Sequence, residues 1–235
     1  DETVGLAVGI IRDGQIAYVQ GYGHADRDQQ IPVTSDTMFR WASISKPLTA
    51  IAALQLAEQG KLDLDADVRE YVPEFPDPGV TITSRQLLCH QGGIVHYKNG
   101  PVVGTPRAYD DPFPYRDVVI ALDTFNRSPL VNPPGEKYSY TTHGYMLLSA
   151  VVQRAGEQPF HEQVSERICR PLGMSTLQPD YQWVQIPQRT RGYRRSGPQV
   201  VDSVDEDVSW KLGGGGYIST IEDLCRFALG LIDGK

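Results

Sequence analysis

Nowhere in these 235 residues does an apolar run approach the ~18 residues that a membrane-crossing helix needs. Cysteine is scarce as well. Cys89, Cys169 and Cys225 are odd in number and far apart, so they read as small apolar residues rather than as a disulfide framework, and they leave the redox compartment open. Basic charge is in deficit: 22 Lys and Arg stand against 29 Asp and Glu, for a net charge of −7, which argues against nucleic acid as a main partner. The densest basic group, Arg189, Arg191, Arg194 and Arg195, is interrupted by Gly192 and Tyr193 and reads as a solvated loop face. The histidines His24, His90, His96, His143 and His161 form neither H-E-x-x-H nor H-x-x-x-H, so no metal and no other cofactor is expected. The glycines 213–216 are not followed by Gly-Lys-Ser/Thr, which excludes a phosphate loop. They instead permit a tight backbone beside a sheet or cleft. Glu136 and Asp123 read as surface charges, so no carboxylate pair of glycosidase type is found.

What is present is a β-rich front and a helical middle. "VGLAVGIIRDGQIAYVQGYG" holds two strand-like runs around Asp13-Gly14, a strong hairpin signal. From Leu48, the residues Leu48, Ile51, Ala52, Leu54 and Leu56 give a largely apolar helix that Gly60 can end in a left-handed cap. Pro47 is compatible with that helix if it begins near Ser43, because first-turn N–H groups have no intrahelical partner to lose. Thr83 or Ser84 can cap a short helix "RQLLCH". "GPVVGTPRAYDDPFP" reads as irregular, one wall of a cleft. "YRDVVIALDTF", "GYMLLSAVVQRAG" and "PFHEQVSERICR" read as helices, the last ended by Pro171. The capping-box spacing of Ser219 and Glu222 starts a final helix. The expected organisation is a sheet unit, 1–60 with 205–235, interrupted by a mostly helical unit, 61–204, whose two ends return to one layer. Two strands are visible in front and none at the back, so the sheet is short of strands.

The chemistry is concentrated in "FRWASISKPL". On a helix, positions i and i+3 share a face, so Ser43 can meet Lys46 while Ser45 points elsewhere. A serine hydroxyl is a weak nucleophile until a base takes its proton. Lysine can be that base only when burial or nearby positive charge brings its pKa down by several units. The helix start helps: its N–H groups can stabilise an oxyanion, and its positive end disfavours a second charge on Lys46. A capped helix with a surface lysine would carry the same four letters, and S-x-x-K alone is a weak signal. A second segment, "PPGEKYSYTTHGYMLL", adds Tyr140 beside another helix start. A tyrosine near a lysine can shuttle a proton between nucleophile and leaving group.

The ordered blocks "FRWASISKPLTA", "LLCHQGGI", "PPGEKYSYTTHGYMLLSAVV", "PLGM" and "GGGGYISTIEDLCRFA" resemble the serine beta-lactamase and penicillin-binding-protein-like family, across nearly the whole chain. "QRTRGY" and "DVSWKLGGGGYISTIEDL" resemble most its mitochondrial beta-lactamase-like branch and the bacterial relatives of that branch. The resemblance implies a beta-lactamase/DD-peptidase-like α/β (α+β) fold: an antiparallel sheet flanked by helices plus a mostly helical subdomain. It implies Ser43 as the acylated nucleophile, Lys46 as its partner and Tyr140 as proton carrier. Thr142 stands where the family's Tyr-x-Asn motif has its asparagine, which weakens a beta-lactam-type amide grip and favours small peptides or esters. Thr142 and His143 are the expected substrate contacts, His143 as a cleft-lining residue. The family's third motif, Lys/His-Thr/Ser-Gly on a strand after the tyrosine, does not occur, so C-terminal strands are expected to be missing. The resulting expectation is a serine hydrolase working through an acyl-enzyme on a small peptide, ester or beta-lactam-like substrate. Its alternatives are a penicillin-binding sensor module that does not turn over and a filament-forming structural protein. The expected partners are the substrate, a further copy of the chain, or a complementary C-terminal segment. The resemblance favours a periplasmic or secreted location. The chain opens directly on a strand, with no signal peptide in it, so the expectation allows a leader or anchor removed upstream.

Overall fold

The computed structural model describes residues 3–105 and 115–234. The part of the expected cleft wall at 106–114 lies outside them. Asp13 and Gly14 both take positive φ, 52° and 72°, the turn whose twist suits a two-residue hairpin. It joins β1 (Gly5–Arg12) to β2 (Gln15–Asp26), antiparallel, with Leu6 opposite Tyr22 and Ile10 opposite Tyr18. β3 (Ile31–Pro32) adds to the far edge of β2, giving the order β1-β2-β3. The second edge of β1 carries no ladder among the described residues.

A second small sheet binds front to back. β4 (Phe39–Arg40) and β5 (Gln178–Pro179) both pair antiparallel with β8 (Tyr217–Ser219). Residues 39–40 and 217–219 therefore share one small sheet, which residues 178–179 of the expected helical unit also enter. The back half is less strand-poor than its sequence suggests. β8 is only three residues long and wholly buried, so it shows no alternation. A further hairpin, β6 (Tyr193–Ser196) with β7 (Gln199–Asp202), turns at Gly197, φ 59°. In the basic group on and before this hairpin, Arg191, Arg194 and Arg195 are exposed, as a solvated face requires, while Arg189 is half-buried. Arg191 lies near Asp26, Asp28 and Asp202, and Arg189 pairs with Asp180 and Asp205.

Helix α1 (Ser45–Glu58) follows a 3-10 turn, Ala42–Ile44. It ends as expected at Gly60, φ 69°, where Lys61 N–H reaches Leu56 O and Gly60 N–H reaches Ala57 O. α2 (Ser84–Leu88) carries a full capping box between Thr83 and Gln86. The expected helix 115–125 is reduced to a 3-10 segment, Ile120–Thr124. Asp123 within it is buried rather than exposed, and it accepts from the Asn126 side chain.

α3 (Thr142–Gly156) is the central helix, buried without a break from Thr142 to Val152. α4 (Phe160–Val164) runs through a π turn, Ser165–Cys169, into α5 (Arg170–Leu172). Pro171 does not end this helix; it lies within α5, and left-handed Gly173, φ 67°, closes it. The glycine run forms α6 (Leu212–Gly215), a buried helical turn against α3 and α1. α7 (Ile221–Asp233) is capped by Thr220, not Ser219, and covers one face of β1, where Gly9 leaves room for Cys225 and Ile221. One core joins these layers, with Trp41, Leu48, Leu87, Leu147, Phe160 and Tyr217 among its buried members.

Candidate active site

The segment carrying Ser43 is held from two sides. Asp180, with no exposed side-chain surface, pairs with both Arg40 and Arg189 and so fastens the end of β4. Trp41 N–H donates to Tyr217 O at 2.9 Å, and the Trp41 ring is buried against Phe227. Ala42 then adopts φ 46°, an unfavourable left-handed conformation for a residue with a Cβ. The 3-10 turn that follows leaves Ser43 exposed and turns Ser45 inward. Ser45 is fully buried, and its Oγ accepts from Tyr217 N–H at 3.4 Å. The i to i+3 spacing thus separates the two serines as expected.

Ser43, Lys46 and Tyr140 meet. Ser43 Oγ lies 2.7 Å from Tyr140 Oη, and Lys46 Nζ donates to Ser43 Oγ at 3.2 Å. Lys46 is buried at 5% exposure, and its other hydrogen bonds go to neutral oxygens, Gly214 O at 2.6 Å and Thr142 Oγ1 at 3.2 Å. Burial lowers the Lys46 pKa, and the Tyr140 phenol beside it only partly offsets that shift. For Tyr140, burial acts upward, but the Lys46 amine and the Ser43 hydroxyl beside it bring the phenol below its ordinary value. The two groups therefore both lean toward exchanging a proton near Ser43.

The two expected substrate contacts are both buried. Thr142 is 3% exposed and spends its hydroxyl on Lys46. His143 is 2% exposed, stacked on Phe125, and donates from Nδ1 to Val95 O at 3.0 Å, so it sits behind the cleft and does not line it. Burial takes its pKa down to about 4, and His96 adds to the shift.

Two other histidines stand nearer. At the start of α3 the backbone N–H groups have no helical partner. The Thr141 N–H donates to His90 Nδ1 at 3.1 Å, and the Thr142 N–H donates to His96 Nδ1 at 3.2 Å. Thr141 Oγ1 caps the helix from Gly144 N–H and itself donates to Val95 O. Burial, Lys46 and His96 lower His90 to about 4, and burial and Lys46 lower His96, so both rings are neutral acceptors at neutral pH. His90 is visible in "LLCHQGGI", but nothing in spacing links it to a tyrosine fifty positions away. Gly214 acts through its carbonyl, which a side-chain reading does not see. No group of three or more His, Cys, Asp or Glu suited to a metal occurs among the described residues.

The family described as beta-lactamase matches residues 1–235, and the chain belongs to that family. It is 32% identical to the putative penicillin-binding protein PbpX of Bacillus subtilis, over 96% of this chain and 54% of that protein. It is 29% identical to the mouse mitochondrial serine beta-lactamase-like protein LACTB, over 98% of this chain and 54% of the relative. It is 35% identical to esterase EstB of Burkholderia gladioli over 73% of this chain and 46% of that one. The chain thus spans about half the length of the curated relatives it matches. Among solved structures, EstCE1, a hydrolase with promiscuous acyltransferase activity, superposes with a TM-score of 0.83 at 23% identity, over 99% of this chain and 68% of that one. The octameric penicillin-binding protein homologue of Pyrococcus abyssi gives 0.77 at 24%, over 99% and 53%. These two likenesses show the beta-lactamase/DD-peptidase-like fold.

Proposed function

We propose that this chain carries the acylating centre of a serine hydrolase, with Ser43 as nucleophile. The observation that supports it most is the pair of hydrogen bonds that Ser43 Oγ makes with buried Lys46 and with Tyr140. A neutral amine has two N–H groups and one lone pair. Gly214 O and Thr142 Oγ1 take the two N–H groups, which aims the lone pair at Ser43 Oγ. In this reading Ser43 Oγ attacks the acyl carbonyl and its proton passes to Lys46 Nζ. The carbonyl π bond opens to an oxyanion, which collapses as the bond to the leaving group breaks. Tyr140 Oη, 2.7 Å from Ser43 Oγ, returns a proton to the leaving group and is resupplied from Lys46. Water then attacks the acyl-serine by the reverse proton path.

Small esters and short peptides fit this centre better than beta-lactams. Thr142 offers one hydroxyl, already bound to Lys46, where an asparagine would present an amide to the substrate. EstB, an esterase by name, is consistent with that choice. The test is turnover of p-nitrophenyl acetate alongside a penicillin. Sustained release of nitrophenol with little penicillin consumption is expected. A single stoichiometric burst with both would favour a binding module that acylates without release.

A further inference from the structure

The C-terminal end of α2 places an unexpected residue in a strained position. His90 has φ 55°, a left-handed conformation that favours glycine. It occupies the position just past the helix, where Gln91 N–H closes onto Gln86 O and His90 N–H onto Leu87 O. A non-glycine residue there is strained, so something other than the backbone favours histidine. Its contacts identify what that is. His90 O accepts from Ser139 N–H at 2.7 Å, and His90 Nδ1 accepts from Thr141 N–H at 3.1 Å. These are the residues immediately before and after Tyr140. The His90 ring lies 4.6 Å from the Tyr140 ring, centroid to centroid, and 4.9 Å from Tyr145. One residue therefore holds the Tyr140 segment at both neighbouring amides and packs against the tyrosine itself.

Resting on the serine-hydrolase reading above, we infer that His90 is a positioning residue: a two-point clamp that fixes the Tyr140 hydroxyl at hydrogen-bonding distance from Ser43. Its imidazole does not touch the reacting atoms. Its strained backbone and its ring together set where Tyr140 stands, and a misplacement of about 1 Å at such a group can cost about 10²-fold in rate.

His90→Gly separates this role from plain structural support. Glycine suits φ 55° and keeps the carbonyl that binds Ser139, while the ring and the Thr141 contact are lost. The experiment measures the rate of Ser43 labelling by a fluorophosphonate, with thermal melting in parallel. The expected result is a melting temperature within a few degrees of the parent and labelling slowed about 10- to 100-fold. In a Tyr140→Phe background the same His90→Gly change is expected to slow labelling less than about threefold, because a clamp has nothing left to position. His90→Asn, which tolerates the left-handed backbone and offers a side-chain acceptor, should recover part of the rate, and it serves if the glycine variant fails to fold. Equal losses in the two backgrounds, or labelling at the parental rate, would overturn the clamp while leaving Ser43 as nucleophile. No labelling of the parent chain would overturn the nucleophile reading and the clamp with it.

Discussion

Ser43→Ala removes the oxygen that Lys46 Nζ and Tyr140 Oη share, so labelling by an acylating reagent should vanish. Ser45→Ala should leave most of it and instead cost about 1 kcal/mol of stability, because the buried Tyr217 N–H loses its acceptor. Differential labelling and melting of the two variants check both halves. The proton balance gives a pH dependence of definite sign. Lys46 is competent as base only when neutral, and burial lowers its pKa. Labelling should therefore rise with pH along a limb centred below the ordinary lysine value of about 10.4. A limb at or above that value, measured between pH 6 and 11, would place the working base elsewhere. Ser43 and Lys46 were legible because their contact is local, set by helix periodicity. Tyr140 was legible through its neighbours in sequence. The misassignment of His143 follows from the same rule of adjacency: it lies beside the motif, but its position in α3 turns its ring into the core.

At the scale of elements, the start of α3 and the glycine turn α6 hold the lysine between them. An alanine Cβ at Gly214 would lie 2.6 Å from Thr142 Cγ2, so Gly214→Ala must push the turn and its carbonyl away from Lys46. The expected effect is a loss of labelling of about 10²-fold with the fold retained. Thr141→Ala should cost about 0.5–2 kcal/mol through the lost cap, read from denaturant unfolding. The neutral histidines give a further sign. His90 and His143 stay unprotonated in the folded chain down to about pH 4, whereas unfolded histidine takes up its proton near 6.5. The unfolded state binds more protons in that window, so stability falls as pH falls from 6.5 towards 4. His143→Gln should flatten part of that fall in melting temperature. Elements with strong local signals, such as the Asp13-Gly14 hairpin and the Gly60 cap, were readable in sequence. The last helix was displaced by one residue because Ser219 and Thr220 are both able caps. Ser219 is spent at the end of β8, where its hydroxyl donates to the Asp223 carboxylate.

Across the whole molecule, the first sheet stays open on one side. Leu6, Ile10, Tyr18 and Tyr22 share the face of the β1–β2 hairpin turned away from α7, and each is 40–49% exposed. Together with the open edge of β1, this surface invites strand pairing or sheet packing. The 235-residue chain on its own is expected to self-associate, and Ile10→Lys to reduce that association in sedimentation velocity. A monodisperse monomer at tens of micromolar would show that the edge is inert. The central claim, that Ser43 is an acylated nucleophile, is tested most directly by intact mass followed by peptide mapping after exposure of the chain to a fluorophosphonate. The account predicts one adduct per chain, on Ser43, lost in Ser43→Ala. An adduct on Ser45 or elsewhere, or an unmodified chain under conditions that keep it folded, would contradict it.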